Sequence, residues 1–178
     1  MPAAVRTQVL ALEDQAWPRA AGEQPGEHDP ALRPEAMVLL DRDGFVRASL
    51  TILSKELDHA GRRYVASGLS AVVTDRARRG QGHGLRLVTA ARERIASSGA
   101  DLGIFSCDRP LAGFYQRAGW QVLPGAVLIG GTSSDPFPSD QWDKLVLAGL
   151  FTEHAREHAD DFSHARIGLY PGEIDKLW

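Results

Sequence analysis

The stretch from Val72 to Leu85 constrains this chain more than any other. It reads Val72, Val73, Thr74, Asp75, Arg76, Ala77, Arg78, Arg79, Gly80, Gln81, Gly82, His83, Gly84, Leu85, with glycines at alternate positions between an apolar strand and an amphipathic helix. Glycines so spaced let the backbone turn tightly and bring bare N–H groups together at a helix N-terminus, where the helix dipole adds partial positive charge. Arg76, Arg78 and Arg79 add full charges nearby. The segment reads as an anion site sized for a pyrophosphate, with Arg79, Gly80, Gln81, Gly82, His83 and Gly84 as its candidate residues. His83 either contacts a phosphate or simply tolerates the turn. A Walker A loop needs a Gly-Lys-Ser/Thr run that is absent. The dinucleotide fingerprint needs G-x-G-x-x-G near the first strand of a parallel unit, whereas this loop is G-x-G-x-G and lies mid-chain. The plain alternative is a glycine-rich turn before a helix.

The surroundings set the fold class. Residues 7–17 suggest a short amphipathic helix with Thr7 as N-cap, ended by Pro18. Residues 18–34 are rich in Pro, Gly and acid (Glu23, Pro25, Gly26, Glu27, Asp29, Pro30) and read as a loop. Strands are expected at 36–40, 45–53 and 64–74, with turns at Asp43-Gly44 and Ala60-Gly61, making an antiparallel meander. After the glycine loop come a helix to about Ser98, a strand at 102–106 and a helix at 108–118 with Pro110 in its first turn. Strands at 120–129 and 144–147 follow, separated by a loop at 130–140, then a polar helix at 152–161 and a Gly/Pro tail to Trp178. Strand, glycine loop, helix, strand, helix, strand is an α+β layout in which a helix crosses over a sheet, all within one domain spanning 1–178.

Composition excludes more than it names. A length of 178 residues suits one domain with a proper core, and a formal charge of −3 argues against nucleic acid as a partner. No long apolar run suggests a membrane span, and the first residues lack the layout of a signal peptide, so a cytoplasmic location is expected. The single cysteine, Cys107, permits no internal disulfide and reads as a buried thiol. His154 and His158 stand four apart on one helix face, a spacing able to bind zinc, but only His164 offers a third ligand. A solvated, ion-paired face is the better reading, and no metal is expected.

Arg79-x-x-Gly82-x-Gly84 after an apolar strand, followed about thirty residues later by Phe114-Tyr115-Gln116-Arg117-Ala118-Gly119-Trp120, resembles the GNAT acetyltransferase family. The resemblance covers roughly residues 69–122. It implies the GNAT fold: a mixed, mostly antiparallel sheet flanked by helices, with a central parallel pair. It implies acetyl-CoA as co-substrate, with the loop amides on the pyrophosphate and Val72, Val73 and Thr74 hydrogen-bonding the pantetheine arm. It implies Tyr115 as the acid that protonates the departing thiolate; a core aromatic with a satisfied hydroxyl is the alternative. A homodimer is a family expectation.

The ends of the chain suggest a narrower likeness. The meander, Ser106, Asp140 and a final Trp178 are similar to the aminoglycoside 2'-N-acetyltransferases. That likeness implies Ser106 and Asp140 at the antibiotic and the carboxylate of Trp178 in the active site. Two positions depart from it. Ser70 stands where that group carries a Glu acting as base through water, and Lys176 where it carries a near-terminal acid. Both remove negative charge from the place of a polycationic drug. Asp29, Glu27, Asp108, Asp140, Glu173 and Asp175 are the acids available to compensate. Ser70, Ser106, Asp108, Asp140 and Trp178 are therefore the candidate acceptor residues, for an aminoglycoside or another small amine. An acetyl-CoA sensor without turnover and a peptide acetyltransferase are the other readings.

Overall fold

The computed structural model describes residues 1–20, 22 and 26–178; Glu23 and Pro25 of the expected N-terminal loop lie outside them. The frame is a long hairpin of β2 (Val46–His59) and β3 (Arg62–Thr74). Ala60 and Gly61 both have positive φ, the conformation that matches a two-residue turn to the twist of its strands. β1 (Glu35–Leu40) pairs antiparallel with β2 and forms one edge. β4 (Leu102–Asp108) lies parallel to β3, after a crossover through α2 (His83–Ala96). β8 (Lys144–Leu150) and the short β5 (Gln121–Val122) complete a six-stranded sheet in the order β1-β2-β3-β4-β8-β5. Only β3–β4 is parallel in that sheet, so the α+β GNAT-type layout expected from the sequence is the observed one.

The helices cover both faces. Val73 packs beneath α1 (Ala3–Ala16) with Leu12 and Val46, while its neighbour Thr74 turns to Gly84 of α2. Alternation along a strand sends adjacent side chains to opposite faces, so α1 and α2 lie on opposite sides. A second sheet, in the order β7-β6-β9, is built from β6 (Val127–Gly131), β7 (Pro136–Pro138) and β9 (Arg166–Gly168). Between β8 and β9 sit α4 (Glu153–Glu157) and a 3-10 turn at Ala159–Phe162. Phe162 meets Tyr64 edge-on at 5.3 Å, and Lys55 donates to the carbonyls of Leu169 and Tyr170. The tail is thus fastened to the long hairpin.

Several boundaries differ from the sequence reading, each for a local reason. The apolar run at 120–129 is two strands in two sheets, because Pro124 and Gly125 (φ 61°) break it. Asp108 ends β4 instead of opening a helix; a 3-10 turn at Arg109–Leu111 with Pro110 intervenes before α3 (Ala112–Arg117). The first helix starts at Ala3, and the Thr7 hydroxyl bonds back to the Ala3 carbonyl rather than capping. The expected loop at 130–140 contains β7, the expected loop at 18–34 contains a 3-10 turn at Pro30–Leu32, and β2 runs six residues beyond the expected end at 53. The polar helix is only five residues long, capped by Thr152, whose hydroxyl accepts from the Ala155 amide. Among the described residues no helix is long and apolar enough to cross a membrane.

Phe162 is fully buried. Phe162→Ala is expected to lower unfolding stability by about 3–5 kcal/mol, since a cavity would open between the tail and the hairpin. Urea unfolding with an unchanged midpoint would show that the tail adds nothing to the core.

Candidate active site

The parallel pair is brief. β3 and β4 are in register only at Ala66–Leu102 and Ser67–Gly103. Beyond them the strands part. The cause is visible in β3, where Ala71 takes φ 50° and the pairing with β2 slips between Ser49 and Thr51. Such a bulge bends one strand away from its neighbour and leaves backbone groups unpaired. The edge of β3 that faces β4 beyond Gly68, Val72 to Thr74 included, is therefore without a strand partner.

That free edge leads into the glycine loop. Gly80 and Gly82 both have φ 79°, and nothing lies within 4 Å of where a side chain would begin. Gly82 is the N-cap residue of α2. Among the described residues no protein acceptor receives the amides of Gln81, Gly82, His83 and Gly84. Among the described residues Arg76, Arg78, Arg79 and Arg86 have no ion-pair partner, whereas Arg47 is held by Asp41 and Asp75. Unpaired donors, a helix dipole and free guanidinium groups around open space are what a pyrophosphate requires. His83 is half-buried; its Nε2 lies 3.3 Å from Gln81 Oε1, and its Nδ1 is buried without a partner. Gly84 is buried, and a β-carbon there would stand 2.7 Å from Thr74 Oγ1, so the third glycine serves close packing of helix on strand.

At the point of parting, the gap is filled from the far end of the chain. The indole of Trp178 lies against Gly68 and donates from Nε1 to the Ile104 carbonyl at 2.8 Å. A β-carbon at Gly68 would collide with that indole and stand 2.6 Å from the Ile104 carbonyl oxygen. Gly68 has an ordinary φ, so its requirement is space alone. Ser70 shares a face with Gly68 by alternation and is half-buried, opposite Thr51. Ser106, half-buried, shares the corresponding face of β4 with Ile104.

Tyr115 approaches from the other side. It packs edge-on against Phe105 at 5.0 Å and Phe114 at 4.9 Å. Trp178 and Tyr115 thus meet β4 at consecutive residues, the one at the Ile104 carbonyl and the other at the Phe105 ring. Burial pushes the Tyr115 phenol far above the ordinary tyrosine value, with smaller contributions in the same direction from Cys107 and Asp108. The group is an intact O–H at neutral pH. Its contribution to stability is present below the unfolded value of about 10 and is lost as pH rises beyond it. Cys107 is buried, and burial raises its thiol to about 11, which leaves it protonated and unreactive.

The expected acids stand apart. Asp108 is exposed and paired with Lys144 at 2.7 Å; Asp140 is exposed and paired with Arg166 at 3.2 Å. Asp175 is different: at 7% exposure it accepts from His28 Nδ1 at 2.6 Å and from the Asp29 amide at 3.0 Å. His154 stacks on Tyr64, and His158 Nδ1 lies 2.9 Å from the His154 carbonyl. Among the described residues no three His, Cys, Asp or Glu side chains gather as a metal site. Two cavities, of about 360 and 550 Å³, border α2 on the β1 side. The first touches His83 and Arg86, and neither reaches Tyr115 or Trp178. Gly68 was not among the residues singled out from the sequence, and Asp175 was named there only as a spare acid, without its pairing to His28. A glycine inside the apolar run 64–74 was the available signal for the first; the second joins residues 147 apart and left none.

A parallel pair that splits beside a strand–glycine loop–helix unit defines the class. The chain belongs to the GNAT acetyltransferase family: the model described as "Acetyltransferase (GNAT) domain" matches residues 3–123, more than half of the chain. The family uses acetyl-CoA. No curated protein matches it. Among solved structures it is similar to a GCN5-related N-acetyltransferase from Anabaena variabilis ATCC 29413, with 18% identity, a TM-score of 0.56, and coverage of 69% of this chain and 31% of that one. It is similar to an aminoglycoside 6'-N-acetyltransferase complexed with coenzyme A, with 14% identity, a TM-score of 0.55, and coverage of 85% and 93%. It is also similar to glucosamine-6-phosphate N-acetyltransferase from Arabidopsis thaliana, with 16% identity, a TM-score of 0.52, and coverage of 67% and 86%. The chain thus spans about a third of the Anabaena protein's length. At these identities the likeness shows the fold.

Gly68→Ala should cost about 1–3 kcal/mol by overpacking and drive the Trp178 indole from its seat. Increased acrylamide quenching of that tryptophan is the expected sign; unchanged quenching would place the indole elsewhere.

Proposed function

We propose that the chain transfers the acetyl group of acetyl-CoA to a primary amine of a small molecule, with Tyr115 as general acid. One observation carries this reading: the partnerless amides of Gln81 to Gly84 adjoin the unpaired edge of β3, where β3 and β4 separate. In this reading the loop amides and Arg79 hold the pyrophosphate, and the backbone at Val72, Val73 and Thr74 holds the pantetheine arm. The bound co-substrate supplies the thioester. The amine nitrogen bonds to its carbonyl carbon, the carbon–sulfur bond breaks, and the Tyr115 O–H protonates the departing thiolate. The proton released by the amine leaves to solvent. A phenol kept neutral by burial suits that part.

On the acceptor side we read Ser70, Ser106 and Trp178, the last with both its indole and the carboxylate that the likeness to aminoglycoside 2'-N-acetyltransferases assigns to the amine. That subtype rests on the sequence likeness, and one set of observations favours an acceptor with fewer charges. Ser70 and Lys176 replace two acids, and Asp108 and Asp140 are already occupied by Lys144 and Arg166. A polycation would have to compete with the cations already there, at a cost of about 0–1 kcal/mol for each exposed pair. A small amine, free or on a sugar, fits better than a many-charged antibiotic. A homodimer stays part of this proposal as a family expectation.

Calorimetry and turnover test the reading together. Gly82→Val forces a β-branched residue into positive φ, and acetyl-CoA affinity should fall at least about tenfold. Tyr115→Phe should leave that affinity unchanged and lower kcat by about 10²–10⁴ in a thiol-release assay over a panel of amines. Full acetyl-CoA affinity in Gly82→Val would refute the loop assignment, and full turnover in Tyr115→Phe would remove the acid.

A further inference from the structure

Asp175, in the tail itself, is the most buried carboxylate among the described residues, and the mechanism above gives it no part. Each oxygen has its own donor: His28 Nδ1 at 2.6 Å on one, the Asp29 amide at 3.0 Å on the other. An ionised carboxylate only accepts, so the histidine nitrogen facing it carries a proton. Both donors belong to the segment between α1 and β1. Asp29 in turn caps the 3-10 turn at Pro30–Leu32, whose Leu32 is buried in the main core. The segment is therefore a fixed support. On the other side, the Asp175 carbonyl accepts from the Trp178 amide at 3.1 Å, closing a turn over the last four residues. The Lys176 carbonyl accepts from the Gly131 amide at 2.8 Å, and Gly130 has no room for a side chain against that same carbonyl. The turn ends in the indole that fills the split between β3 and β4.

We propose that Asp175 is a positioning residue: clasped by His28 and the Asp29 amide, it fixes the terminal turn so that Trp178 stays seated on Gly68 and Ile104 and walls the acceptor side of the site. This rests on the reading that Trp178 lines that site. The pair acts at a distance from the reacting atoms. A buried carboxylate that loses its partners destabilises whatever geometry it supports, and small misplacements near a reacting centre are costly to turnover. The coupling runs from the N-terminal segment to the tail, two parts of the chain joined by no strand pairing.

The indole Nε1–H of Trp178 gives a readout independent of activity. It is assigned in a ¹H–¹⁵N spectrum by its loss in Trp178→Phe, and its hydrogen exchange is followed. In Asp175→Ala and His28→Ala, exchange should be at least about tenfold faster than in the unaltered protein, with kcat for an amine down about tenfold or more. The KM and calorimetric affinity for acetyl-CoA should change by less than about twofold, because the loop lies elsewhere. Asp175→Asn keeps one acceptor and can turn its amide toward the other histidine tautomer, so it should recover most of both effects. His28→Ala serves if Asp175→Ala fails to fold. Unchanged indole protection in His28→Ala together with full turnover overturns the proposal. Lost protection with full kcat also overturns it, reducing the pair to a stabilising contact. Failure of the unaltered protein to bind acetyl-CoA sinks the functional reading on its own, and is told apart because indole protection would still respond to the substitutions.

Discussion

The site depends on a failure of strand pairing. Two registered residue pairs join β3 to β4, and then the backbones diverge. A continuous parallel ladder would satisfy every N–H and C=O along both strands and leave nothing for a ligand to bond. One positive φ at Ala71, with the slipped register opposite, bends β3 and exposes its edge for a few residues before the strand ends. The helix that follows starts there, so an unpaired strand edge and an unpaired helix N-terminus adjoin. The main-chain groups that the fold leaves without partners are the ones a coenzyme with an amide-rich arm and a diphosphate can satisfy.

Such a gap must be closed on its far side, or a sheet core would stand open to water. Two aromatic residues from different regions do this. Tyr115 packs on Phe105 beside it, and Trp178 lies against Gly68 and bonds to the carbonyl of Ile104. Glycine at position 68 is what lets the second arrive. The surface acids Asp108, Asp140 and Asp143 pair with Lys144, Arg166 and Arg109.

The sequence carried the parts that local chemistry dictates. Alternating glycines, apolar alternation and the Asp43-Gly44 and Ala60-Gly61 turns are read from short windows, and the hairpins and the α2 crossover lie where those windows put them. What escaped depends on distance or on competition. Pro124 and Gly125 sit in an apolar run that looks continuous until the two halves are found in different sheets. Asp108 looks like a helix cap but is claimed by the β4–β8 ladder, where it faces Lys144. Loops rich in Pro and Gly concealed β7, because a strand of three residues has no periodicity to read. Around the site, the glycine loop and Tyr115 were legible from motif and spacing. The seat of Trp178 was not, because a carbonyl acceptor and a missing side chain leave no pattern in composition.

The position of that seat has a consequence for biogenesis. Chains emerge from the ribosome N-terminus first, and the sheet through β4 can assemble once residue 108 is available, since the β1–β2 and β2–β3 pairings are hairpins between sequence neighbours. The plug for the split, Trp178, follows β4 only after the second sheet. During synthesis the nascent domain therefore passes through a stage with its strand gap vacant and Gly68 uncovered. Until Trp178 arrives, the strands up to β4 can pair while the split between β3 and β4 stays uncovered.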